Sequence, residues 1–139
     1  MIEVTKPFLP PIEEYKYYLD GIWKRLLLTN RGPLCVNLEN KLKEYLDIKH
    51  LLFVSNGTIA LQLAIKALDL KGEIITTPFS FIATANSIKL SNLEIKFIDI
   101  CKKNYNLNPK NITTISKKTS AIMPVHVFSN PAFVEEFRE

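Results

Sequence analysis

A chain of 139 residues has room for one domain or for part of one. Apolar residues make up 47% and charged residues 23%, an ordinary globular balance that excludes a disordered or fibrous protein. The net charge is +4, but the lysines are scattered, and pairs such as Lys102-Lys103 and Lys117-Lys118 sit beside turn residues. That pattern describes a solvated surface, and no basic run interleaved with aromatics suggests a nucleic-acid platform.

Pro7, Pro10 and Pro11 fix φ and remove donors, so residues 7–11 are expected to be extended. Ile12, Tyr15, Leu19, Ile22, Trp23 and Leu26 then recur at helical spacing. Thr29-Asn30-Arg31-Gly32-Pro33 is a loop, and Leu34, Leu38, Leu42 and Tyr45 or Leu46 mark one face of a second amphipathic helix. From there the pattern alternates. Leu51 to Val54 reads as a buried strand and Ile59 to Leu70 as a helix stopped by Gly72. Glu73 to Thr77 is a strand, Ser80 to Leu90 a helix, and Ile95 to Ile100 a strand. A turn-rich stretch and a short helix over Pro109 to Ile115 precede a strand over Ser120 to Val125. Asn130-Pro131 reads as an N-cap with proline at the first position of a final helix. Strand–helix alternation implies an α/β fold with a mostly parallel sheet, covered on both faces.

Cys35 and Cys101 form no CxxC pair and have no zinc-ligand spacing. Two lone thiols fit a reducing compartment, so a cytoplasmic location is expected. The first residues lack the apolar core of a signal peptide, and no apolar run approaches the ~20 residues of a membrane helix. Neither a metal, a membrane nor a nucleic acid is expected as a partner.

Two local motifs carry chemistry. In Val54-Ser55-Asn56-Gly57-Thr58-Ile59 a strand runs through a glycine turn directly into an apolar helix. The first amides of such a helix lack intrahelical partners and stand at the positive end of its dipole, where a phosphate is favoured. Gly57 permits close approach of an anion, and Thr58 adds a hydroxyl. The simpler alternative is that Ser55 or Asn56 merely caps the helix. The motif is neither a Walker loop nor a GxGxxG fingerprint. In Thr77-Pro78-Phe79-Ser80-Phe81 aromatic residues follow a strand at the end where open α/β sheets bind ligands. One ring can stack on a flat cofactor; the alternative is that Phe79 and Phe81 are both core.

Together with Val4-Thr5-Lys6-Pro7-Phe8-Leu9-Pro10-Pro11, Leu28-Thr29-Asn30-Arg31-Gly32-Pro33, Phe97-Ile98-Asp99-Ile100 and Pro124-Val125-His126, these motifs resemble the DegT/DnrJ/StrS aminotransferases over the whole chain. The opening segment is especially similar to the branch that makes dTDP-4-amino-4,6-dideoxyglucose for O-antigen. The resemblance implies part of the large domain of a fold-type I aminotransferase. Residues 1–33 would be an arm, a helix and an active-site loop, and residues 34–139 the start of the cofactor-binding large domain. It implies pyridoxal phosphate as cofactor, a nucleotide-linked keto-sugar as substrate, glutamate as amino donor and a homodimer. By matched position, Gly57 and Thr58 hold the cofactor phosphate, Phe81 stacks on the pyridine ring, and Thr29 and Asn30 belong to a loop near the substrate. His126 matches a recurrent histidine at a strand end, with a structural role equally open.

In this family a lysine bonds covalently to the cofactor and an aspartate pairs with the pyridine nitrogen. No lysine of this chain stands in the required context; Lys117 and Lys118 follow Ser116 but precede a strand. The expectation is therefore an incomplete, inactive piece with apolar faces uncovered and poor solubility, or a non-catalytic binding or regulatory remnant of the same fold. Leu27 where tryptophan is usual, Ser129 in place of glycine and Phe133 in place of an acidic residue fit a truncated or split gene that has begun to drift. The competing reading is a small phosphate-ester binder on a complete flavodoxin-like sheet.

Overall fold

The computed structural model describes residues 5–138. Val4, in the opening motif, and Glu139, in the last expected helix, lie outside the described residues. The chain divides into two compact units, one ending at Phe53 and the other starting at Val54.

The first unit holds helices α1 (Ile12–Arg25) and α2 (Pro33–Leu46). Pro11, at ψ 134° with φ −52°, carries the extended opening segment into α1, and Pro33 takes the first position of α2, where a missing N–H costs nothing. The acidic Glu13 and Glu14 in the first turn of α1 and the basic Lys24 and Arg25 in its last turn both complement the helix dipole. The one buried residue on α2 is a charged one, Glu39.

Its carboxylate organises the unit. Both Nε and Nη2 of Arg31 donate to Oε2, at 2.8 and 2.5 Å, and the Phe53 amide donates to Oε1 at 3.0 Å. That last bond corrects one sequence expectation. Leu51 to Val54 is not a strand, because the Phe53 N–H that a ladder would use goes to a side chain and no neighbouring strand pairs with the segment among the described residues.

The second unit contains helices α3 (Gly57–Ala67) and α4 (Ala83–Leu90) and strands β1 (Glu73–Thr76), β2 (Glu94–Phe97) and β3 (Thr119–Ile122). The strands form a parallel sheet in the order β2-β1-β3. Ile74 pairs with Ile95 on one side and Ala121 on the other. Side chains alternate along β1, yet Ile74, Ile75, Thr76 and the following Thr77 are all buried, so both faces of this central strand are covered. Ile65 of α3, Ile74 of β1, Ile88 of α4 and Leu93 form the core, with Leu70, Ile95, Ala121 and Met123 against it. Large apolar side chains nonetheless stay exposed in both units, among them Trp23, Leu63, Leu90 and Phe97.

The ends of α3 and α4 explain where the chain turns. After α3 the Asp69 amide donates to the Lys66 carbonyl and the Leu70 amide to that of Ile65, with Asp69 left-handed at φ 49°. After α4 the Asn92 amide reaches Lys89 and the Leu93 amide Ile88, with Asn92 at φ 59°. Both are Schellman closures, each tied down by an apolar contact within the core. Asp69, not Gly72, therefore stops α3. Gly72 serves the sheet instead. At its φ of 80° a Cβ would collide with the Lys118 carbonyl oxygen, so only glycine lets β1 begin beside β3.

Three other expectations are corrected. The helix expected from Ser80 begins at Ala83, because Thr77 Oγ1 accepts from the Phe79 amide and the Pro78 carbonyl from the Ser80 amide, and these bonds hold a turn first. Pro109 to Ile115 shrinks to a 3-10 turn at Pro109–Asn111, capped by the Asn108 side chain. Asn130-Pro131 does not open a helix. The Asn130 and Pro131 carbonyls are taken by the Asn106 side chain, the Val134 amide turns back to Ala132, and one 3-10 turn follows at Glu135–Phe137.

Candidate functional site

The helix N-terminus at Gly57 is built as a donor site. Asn56, extended at φ −165° and ψ 167°, caps α3 by accepting the Ile59 amide on Oδ1 at 3.0 Å. Its carbonyl accepts the Ala60 amide. The amides of Gly57 and Thr58 have no acceptor among the described residues. Capping and anion binding are thus not alternatives here, since the cap uses one amide and leaves the first two. A Cβ on Gly57 would meet nothing within 4 Å, so the space beside this residue is open.

The middle of α4 lies beside this N-terminus. Ser87, fully buried, donates to the Ala83 carbonyl at 2.7 Å, and its hydroxyl stands 3.4 Å from the Thr58 carbonyl. Phe81 precedes α4 and is 79% exposed, so it is not core. It lines an open cavity of about 410 Å³ formed by residues 78–81, which follow β1, and residues 125–128, which follow β3. That is the carboxyl end of adjacent parallel strands, where α/β sheets place ligands. Gly57 and Thr58 do not line this cavity; they stand at the N-terminal end of α3.

Phe79 joins a different group. Its ring stacks on Tyr105 at 5.6 Å, and Phe128 meets both rings edge-on, at 6.3 Å from Phe79 and 6.2 Å from Tyr105. Phe128 and Ser129 are both left-handed, at φ 50° and 64°. The Nδ1 of His126 accepts the Ala132 amide at 2.8 Å, which assigns this histidine a structural bond and leaves any ring proton of the neutral form on Nε2.

Thr29 and Asn30 belong to the first unit. Both are exposed, and Asn30 and Arg31 are consecutive left-handed residues, at φ 59° and 57°. The Arg31–Glu39 pair anchors this loop. Hydrogen bonding from Arg31, then from the Phe53 amide, holds the Glu39 carboxyl below the ordinary carboxylate range, and the same pairing raises Arg31.

Sequence reasoning missed Glu39, Tyr105, Asn106 and Phe128. A buried polar side chain has no periodicity signal. The one hint is the turn-rich run Asn104 to Asn108, and it does not say which asparagine is buried.

The sequence profile of the DegT/DnrJ/EryC1/StrS aminotransferase family matches residues 12–139. The chain belongs to this family. A relative from Escherichia coli, dTDP-4-amino-4,6-dideoxy-D-glucose transaminase, is 46% identical over 99% of the chain and 38% of its own length. Among solved aminotransferases of like fold, NtdA from Bacillus subtilis, with its cofactor PMP bound, superposes on 99% of the chain and 34% of its own with TM-score 0.81 and 27% identity. DesI in the presence of its TDP-sugar product covers 92% of this chain and 33% of its own, with TM-score 0.85 and 28% identity. The α/β architecture is accordingly part of an aminotransferase fold, and pyridoxal phosphate is the cofactor that fits a DegT/DnrJ/EryC1/StrS chain. The chain spans about two fifths of the length of the E. coli relative.

Proposed function

We propose that these residues are the N-terminal portion of a pyridoxal-phosphate-dependent transaminase acting on a nucleotide-linked keto-sugar for O-antigen synthesis in the cytoplasm. Family membership and the 46% identical relative support the reaction class. One observation carries the cofactor reading: two adjacent amides, at Gly57 and Thr58, stay unpaired among the described residues at the positive end of α3. In this reading those amides and the Thr58 hydroxyl hold the ester phosphate. The exposed Phe81 ring lies against the heterocycle, and Thr29 and Asn30 stand on the substrate side. Residues 1–33 serve as arm, helix and active-site loop, and residues 34–139 begin the large domain. The bound cofactor supplies an electron sink for proton loss from carbon.

Glutamate serves as amino donor, and two copies of the full-length protein complete the sites. The covalent lysine and the carboxylate partner of the ring nitrogen belong to sequence beyond the part matched here. The 139-residue chain then binds the cofactor and does not turn over. To test this, the purified chain is mixed with pyridoxal phosphate, glutamate and a dTDP-linked 4-keto-sugar. Cofactor binding without amino-sugar formation is the expected result; a lysine-dependent absorbance band accompanied by turnover contradicts it.

A further inference from the structure

Asn106 is fully buried, and every hydrogen-bonding position of its side chain but one acceptor lone pair is used. Nδ2 donates to the Asn130 carbonyl at 3.2 Å and to the Pro131 carbonyl at 2.8 Å, and Oδ1 accepts the Val127 amide at 2.9 Å. Two acceptors and one donor around the amide admit only this orientation. The backbone of Asn106 is held as well: its amide goes to Asn104 Oδ1, and its carbonyl accepts from the Cys101 amide. These bonds close a turn in which Tyr105 is left-handed, at φ 62°.

The two ends of this arrangement carry the aromatic group. On one side is Tyr105, the residue before Asn106. On the other is Phe128, which follows the amide that Asn106 binds and precedes the carbonyls that it also binds. Phe128 and Ser129 hold left-handed conformations that cost energy for residues with a Cβ and persist only where neighbours impose them. Asn106 grips the chain immediately before and after that pair. Val127 and Phe128 also line the cavity that contains Phe81.

We propose that Asn106 is a positioning residue. It clamps residues 127–131 so that Phe128 stands against Tyr105 and Phe79 as the wall of the Phe81 cavity, and so fixes the space in which a planar ring is received. The inference rests on the cofactor reading for the identity of that ring, but not for the clamp itself.

The test uses the full chain and its Asn106→Asp variant. The variant keeps the acceptor for Val127 and places an anion against two carbonyl oxygens. By nuclear magnetic resonance, cross-peaks among the Phe79, Tyr105 and Phe128 rings are expected to vanish in the variant while those among Ile65, Ile74 and Ile88 remain. Pyridoxamine phosphate affinity is expected to fall about tenfold, the size of one lost buried hydrogen bond, while inorganic phosphate affinity changes less than about twofold. Part of the loss should return at acid pH, where a protonated Asp side chain can again donate, judged as the ratio of variant to unmodified chain. Ring cross-peaks that survive in the variant overturn the clamp, as does equal loss of both ligands. A second measurement covers a variant that does not fold: in the unmodified chain the Val127 amide is expected to exchange slowly with solvent, and rapid exchange there overturns the proposal. An unmodified chain that keeps the ring cross-peaks but binds no pyridoxamine phosphate sinks the cofactor reading and leaves the clamp standing.

Discussion

The hydroxyl of Ser87, the fifth residue of α4, stands 3.4 Å from the carbonyl oxygen of Thr58, and this approach sets the middle of α4 beside the start of α3. The contact is made by a small side chain that is wholly buried. Ser87→Ala keeps the close approach and loses a bond made mainly within α4. Its stability should change by less than about 1 kcal/mol. Ser87→Leu forces the helices apart and should cost about 1–3 kcal/mol, measured by urea unfolding, with phosphate affinity falling alongside. A leucine variant of unchanged stability would show that the helices are not packed at this residue.

Gly57→Ala separates the needs of the fold from those of a ligand. The new methyl group meets nothing within 4 Å, and Gly57 is not left-handed. Stability should hold or rise by about 0.4–1 kcal/mol, because alanine narrows the unfolded ensemble. Affinity for a phosphate ester should nevertheless fall, since a side chain at Gly57 hinders the close approach of an anion to the backbone. Thermal unfolding and ligand titration on the same preparation check both halves.

Gly72→Ala should behave in the opposite way. A Cβ at φ 80°, in collision with the Lys118 oxygen, needs the β1–β3 junction to open. A loss of about 1–3 kcal/mol is expected for left-handed strain with contact, read as a lower urea midpoint. Ligand affinity in the folded fraction should be unaffected.

Glu39 gives the first unit a pH dependence of definite sign. Its folded value is depressed, chiefly by Arg31 and then by the Phe53 amide. The stabilisation is therefore present above the unfolded carboxylate value of about 4.3. It is lost as pH falls through the lower folded value. Glu39→Gln should be less stable than the unmodified chain at pH 7, and the gap should narrow as pH falls below the unfolded value of about 4.3. Thermal unfolding followed by circular dichroism at both ends of that range checks this; a gap that widens on acidification contradicts the ion pair.

The parts of this molecule that are legible in sequence are those governed by period and punctuation. The spacing from Ile12 to Leu26 marks α1, Leu34, Leu38 and Leu42 mark α2, and apolar runs around Ile74, Ile95 and Ala121 mark the three strands. Two of the failures share one cause, a backbone donor or acceptor diverted to a distant polar side chain. Glu39 takes the amide of Phe53, and Asn106 takes the carbonyls of Asn130 and Pro131. These pairings span 14 to 25 positions along the chain, beyond any local pattern. Gly72 stands out as punctuation, but the backbone it must clear belongs to Lys118. For the site, the Gly57-Thr58 turn and the exposed Phe81 can be picked out as chemistry, whereas the aromatic group around Phe128 cannot.

Calorimetric titration of the chain with pyridoxal phosphate and with pyridoxal, which differ only in the ester phosphate, tests the central claim most directly. Pyridoxal phosphate is expected to bind at least about tenfold more tightly, and a parallel nuclear magnetic resonance titration is expected to show the largest amide shifts at Gly57 and Thr58. Equal affinity for the two compounds, or shifts that bypass those two amides, would contradict it.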